Sequence, residues 1–98
     1  MPSESWPTNS FRRVMGDVLH ERGQQDSKWG EQNHSPFTYL TILGEEYGEA
    51  CQAALHLEFG GPEADKLREE LVQVAAVAVA FIECLDRGEW PEVLGAHE

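Results

Sequence analysis

The chain reads as an all-α protein, an antiparallel bundle of three main helices with a short C-terminal segment, completed by oligomerisation. Three observations predict it. Apolar residues recur at three- and four-residue spacings along three separate stretches. Ser-Pro and Gly-Gly pairs punctuate the chain where helices would start and stop. The third stretch is apolar on nearly every side, more than two neighbouring helices can cover. With 98 residues there is material for one domain, flanked by an N-terminal tail at residues 1–9 and a C-terminal segment at 89–98.

In the first stretch Phe11, Val14, Met15, Val18 and Leu19 recur at offsets 0, 3, 4, 7 and 8, one face of a helix, with Ser10 as its cap. The spacing predicts helix 1 over about residues 10–25. At residues 26–35, DSKWGEQNHS, the periodicity stops and polar and Gly content predicts a loop, a candidate ligand surface. Ser35 before Pro36 is an N-cap with proline in the first helical position, where its missing N–H costs nothing. The seam of helix 2 runs through Leu40, Leu43, Tyr47, Ala50 and Ala54, and Gly60-Gly61 ends it. Pro62 is expected to open helix 3, with Glu63 and Asp65 in the first turn where the helix dipole favours negative charge. That helix should run to about Arg87, before Gly88, with a seam at Leu67, Leu71, Val74, Ala78, Phe81 and Leu85. Val72, Ala75, Ala76, Val77, Val79 and Ala80 are apolar as well, so its remaining face is expected to pack on another copy of the chain. The last segment, EWPEVLGAHE, either docks Trp90 and Leu94 as a short helix or frays, and the sequence leaves both open.

A content of 41% hydrophobic and 26% charged residues is that of a packed domain rather than a disordered acidic tail. The net charge of −11 repels a phosphate backbone, which excludes duplex nucleic acid as a partner. A nucleotide remains compatible if a divalent cation neutralises its phosphates. Cys51 and Cys84 fall in apolar helical patterns and read as buried free thiols, with no disulfide framework. The longest apolar stretch, residues 71–82, is 12 residues with Gln73 inside it, too short to span a bilayer. The start MPSESWPTNS lacks the basic and apolar regions of a leader, so a cytoplasmic location is expected.

On helix 2, Glu46 and Glu49 lie about 60° apart at ~100° per residue, so their carboxylates can converge. They share their side with Ile42 and Ala53, whereas Glu45 points further outward. Glu70 and Gln73 repeat the arrangement on helix 3, beside Val77. If the two helices are antiparallel, the pairs face each other as an oxygen-rich cluster of the kind Mg2+ prefers. Half-buried neighbouring carboxylates repel unless something positive sits between them. Glu45, Glu69 and Glu83 read as solvated charges. In the loop, Lys28 offers a charge for phosphate, Trp29 a stacking face, and Gln32, Asn33 and His34 donors and acceptors for a base edge. Trp29 serves equally as a lid over the bundle end, and His34 as a cap or plain surface. Glu31 to His34 has the spacing of a di-iron motif but precedes the helix start.

The run EEYGE at residues 45–49 followed by ELVQ at 70–73 resembles the MazG-like all-α nucleotide pyrophosphohydrolases. ERGQQDSKWGEQNH and LREELVQVAAVAVAFIE are similar to small actinobacterial or phage-type members, and the resemblance covers most of residues 20–87. It implies a Glu-x-x-Glu pair and a Glu-x-x-Asp pair on successive helices, holding Mg2+, with Mn2+ as a possible substitute, in an oligomeric bundle. It implies Glu46, Glu49 and Glu70 as metal ligands, with Gln73 standing where the family carries aspartate. The implied reaction is hydrolysis of a nucleoside triphosphate between the α and β phosphates, in nucleotide-pool housecleaning, with Glu45 or Glu49 as base. Implied partners are the nucleotide and one or three further copies, as homodimer or homotetramer. The rival class is a non-catalytic nucleotide-binding or protein-interaction module.

Overall fold

The computed structural model describes residues 5–90, so Leu94 and the rest of residues 91–98 lie outside the described residues, while Trp90 is exposed. The order is α1 (Asn9–Trp29), α2 (Pro36–Phe59) and α3 (Leu67–Arg87), with no strand among the described residues. α3 is central: α1 and α2 each pack on it and not on each other.

α2 starts where the sequence predicts. Ser35 Oγ accepts the Thr38 N–H at 3.3 Å, Pro36 occupies the first turn, and the helix stops at Gly60. α1 differs at both ends. Its cap is Thr8, whose hydroxyl accepts the Phe11 N–H at 3.0 Å, two residues before the expected cap Ser10. Its C-terminus reaches Trp29, so Asp26 to Trp29, expected in a loop, are helical. The apolar period fails there because that turn faces solvent and a cleft, while the i,i+4 ion pair of Arg22 and Asp26, at 3.0 Å, supports the helix. Gly30, at φ 71°, then ends it in a conformation that side chains with a Cβ avoid.

α3 begins five residues later than Pro62 suggests, and Glu69 and Glu70 take the first turn instead of Glu63 and Asp65. The reason is local. His56 Nδ1 accepts the Glu63 N–H at 3.0 Å, and the ring lies so close to Gly61 that a Cβ there would collide with it. The chain therefore folds back in turns over residues 62–65 before the helix can start.

α2 and α3 are antiparallel: Tyr39, early in α2, stacks on Phe81, late in α3, at 5.0 Å between centroids. Tyr39, Val77 and Cys84 form the buried cluster, flanked by Ile42, Leu43, Ala80 and Phe81. α1 instead runs in the same direction as α3, with Asp17 on Arg68 at 2.8 Å and Arg22 on Glu83 at 2.9 Å. It buries little apolar surface, Val18 being its one buried residue. Glu83, expected to be a solvated charge, is instead partly buried against Arg22.

The expected seams are covered only in part: Ala50 is buried and Leu43 and Phe81 pack against the buried cluster. α2 buries Tyr39, Ala50 and Ala53, while Leu40, Tyr47 and Ala54 of the expected seam are exposed. α3 buries Ala76, Val77 and Cys84, while Leu71 and Leu85 are exposed. Both helices carry two apolar stripes, and the protomer covers the one with more small residues, since alanines allow the closest helix approach. Cys84 is buried as expected and Cys51 is only partly covered; both are free. No helix among the described residues is long and apolar enough to cross a membrane.

Candidate metal centre and adjoining cleft

Glu46 falls on the stripe of α2 that faces α3, between Tyr39 and Ala50 in the helical repeat, and is partly buried. The antiparallel register brings it and Glu49, one turn on, to Glu70 in the first turn of α3. One carboxylate oxygen from each lies within 4.8 Å of the other two. Glu46 Oε2 and Glu70 Oε2 are buried without any hydrogen-bond partner. Such oxygens cost free energy unless a donor or cation meets them.

The electrostatics agree. Burial pushes the Glu46 carboxyl above its ordinary 4.5, and Glu49, Glu21 and Glu45 add to the shift. Glu70 is raised first by burial, then by a shared hydrogen bond and charge repulsion with Glu49, then by Glu46 and Glu69. Protonation relieves both groups, so their favourable contribution is complete below pH 4.5 and is lost as pH rises through the raised values. Metal-free protein should therefore melt at lower temperature at neutral pH than near pH 4.5, and the decline should shrink in Glu46→Gln and Glu70→Gln. Thermal melts in chelator across that range check this.

Glu45, by contrast, is exposed and stands outside the cluster. Gln73, one turn beyond Glu70, is partly buried and lines the adjoining cleft together with Glu46. This cleft, about 710 Å³, is the gap between α1 and α2 floored by α3, a volume suited to a small-molecule ligand. Lys28 and Trp29 line it from the last turn of α1, not from a loop, with Lys28 Nζ 4.6 Å from the Trp29 ring centroid.

Gln32 also lines the cleft. Its carbonyl accepts from Tyr39 Oη at 3.2 Å and Arg87 Nη2 at 3.1 Å, and its side-chain oxygen accepts from His34 Nε2 at 3.1 Å. Asn33 Oδ1 accepts two bonds from Arg87, at 3.0 and 2.9 Å. His34 stands edge-on to Tyr39 at 5.0 Å, and its carbonyl accepts from the Cys84 thiol. The connection from α1 to α2 is thus fastened to the C-terminal end of α3, and Asn33 and His34 serve that fastening.

Sequence reasoning missed Arg22 and Arg87, which both line the cleft. Arg22 is 12% exposed and bonds Glu83 through two nitrogens, which with Asp26 holds it firmly protonated. A usable signal was scarcity: with only seven Lys and Arg against 18 Asp and Glu, each cation beside an apolar residue merits attention. No protein-family model, curated protein or solved structure matches this chain.

Proposed function

We propose that the protein is a nucleotide pyrophosphohydrolase dependent on a divalent cation, Mg2+ or Mn2+, converting a nucleoside triphosphate and water to the monophosphate and pyrophosphate. The observation that carries this reading is the meeting of Glu46, Glu49 and Glu70 across two helices, with two buried oxygens lacking partners, beside a nucleotide-sized cleft. An all-oxygen, anionic donor set fits a hard cation. Glu46, Glu49 and Glu70 would hold it, with the Gln73 amide oxygen as a neutral addition. When bound, such a cation neutralises phosphate charge and makes water a stronger acid.

The chain's own residues divide the remaining work. Lys28, Arg22 and Arg87 bring positive charge into the cleft, with Arg22 shared with Asp26 and Glu83 and Arg87 with Glu31. Trp29 offers an aromatic face to a base and Gln32 an amide to its edge. Glu49, the exposed member of the cluster, can accept a proton from the attacking water; Glu45 would do so only from outside the cluster. The test is pyrophosphate release from a panel of nucleoside triphosphates with Mg2+ and with chelator. Release only with Mg2+ supports the reading, and none with any nucleotide opposes it.

Gln73 favours a second reading, a nucleotide-binding module without turnover, because this position brings an oxygen but no charge. Gln73→Asp separates the two. If the amide faces the cation, aspartate should tighten Mg2+ binding about tenfold, the effect of ~1.4 kcal/mol. If it is simply a half-buried amide, aspartate should cost ~1–3 kcal/mol of stability with no gain in affinity. Calorimetric Mg2+ titration and a melting curve give both numbers.

A further inference from the structure

α1 is the one helix of the three with a positive net charge. Arg12, Arg13, Arg22 and Lys28 against Asp17, Glu21 and Asp26 leave it at +1. α2 carries four glutamates and neither Lys nor Arg, and α3 carries four acids against Arg68 and Arg87, so the two together stand at −6 with histidine neutral. The apolar hold of α1 is small by comparison. Only Val18 is buried, Phe11, Val14, Met15 and Leu19 stand between 37% and 74% exposed, and α2 is out of contact. Two ion pairs reach α3: Asp17 with Arg68, both half-exposed, and Arg22 with Glu83, where the guanidinium is almost covered. At the C-terminal end, Gly30 at φ 71° leads into the connection that Tyr39 and Arg87 fasten through the Gln32 carbonyl and Asn33. One end of α1 is therefore fixed, and the rest is held mainly by charge.

We infer that α1 is a hinged wall of the cleft: it swings off α3 as a unit about Gly30 while the α2–α3 layer stays folded, and Glu83, acting through Arg22, is the positioning residue that latches it shut. A segment with few buried apolar contacts opens at a lower free energy than a core built on Tyr39, Val77 and Cys84. Glycine supplies the pivot because it accepts both signs of φ. Arg22 supplies the latch, bonding Glu83 through Nε at 3.1 Å and Nη2 at 2.9 Å. Lys28 and Trp29 lie within two residues of the pivot and move little. Glu21 lies nine residues from it, about 14 Å along a helix that rises ~1.5 Å per residue. Opening therefore widens the cleft at the end lined by Glu21, Glu46 and Gln73, and Trp29 stays in place. Neither a metal nor a nucleotide enters this inference, so it stands or falls independently of the enzymatic reading.

Hydrogen exchange of the full chain at neutral pH, read by mass spectrometry without nucleotide or metal, tests this. Amides of residues 13–29 should exchange about 100-fold faster or more than those around the buried Ala53, Ala76 and Val77. Raising NaCl from about 0.1 to about 1 M shortens the screening length from about 10 to about 3 Å, and should speed α1 about threefold or more while α2 and α3 become no faster. Glu83→Gln should speed α1 about tenfold, the scale of losing one charged hydrogen bond, with α2 and α3 unchanged. Asp86→Asn removes the same charge from an exposed position on α3 and should change α1 by about twofold at most. Wild-type α1 exchanging in step with α3, or showing no response to salt, would overturn the proposal. So would equal effects of Glu83→Gln and Asp86→Asn on α1, or an acceleration by Glu83→Gln that all three helices share. Should Glu83→Gln prove unfolded, the wild-type salt series decides.

Discussion

Glu46→Gln, Glu49→Gln and Glu70→Gln should each lower Mg2+-dependent turnover roughly 100-fold or more, the scale of losing one electrostatic stabiliser from a preorganised site. The same changes should leave the metal-free protein as stable as wild type or more so, because each removes a charge from a cluster whose members repel. Glu46→Gln and Glu70→Gln should show the larger gain, since their oxygens are the buried, unpartnered ones. Loss of activity from unfolding would give the opposite sign in a melt. Glu45→Gln is the control on the same helix: it lies outside the cluster and should cost less than either neighbour. Steady-state pyrophosphate release at saturating Mg2+, paired with melts in chelator, reads both effects.

Tyr39→Ala should destabilise the fold by about 3–5 kcal/mol, the usual cost of removing a buried aromatic ring. Tyr39 is 4% exposed, stacks on Phe81, and its hydroxyl holds the Gln32 carbonyl at 3.2 Å. The loss therefore reaches past the core to the connection between α1 and α2 that borders the cleft. Tyr39→Phe keeps the ring and drops only the hydroxyl bond, so it should cost about 1 kcal/mol. Denaturant unfolding of the pair separates ring from hydroxyl, and equal costs would show that the stacking contributes little.

The carboxylate cluster was legible because its geometry is local. Glu46 and Glu49 share a turn, Glu70 follows a short connection, and the antiparallel return brings them together whatever the details of packing. The start of α2 was legible for the same reason, as its cap lies within three residues. The seams were legible only in part. Helical periodicity reports that a stripe is apolar but not whether α1, α3 or another chain covers it, and each long helix here has two such stripes. The turn of α1 at Asp26 to Trp29 was lost because a helix bordering a polar cleft has no apolar period to detect. Arg22 and Arg87 act through partners 61 and 54 residues away, Glu83 and Asn33, a separation that no local pattern records.

Isothermal calorimetry of Mg2+ binding at neutral pH, run on wild type and Glu70→Gln side by side, tests most directly whether the three glutamates form a cation site. Saturable binding to wild type and a rise in its melting temperature with Mg2+ are expected, both reduced or absent in Glu70→Gln. Absence of saturable binding to wild type, or equal binding by both proteins, would contradict such a site.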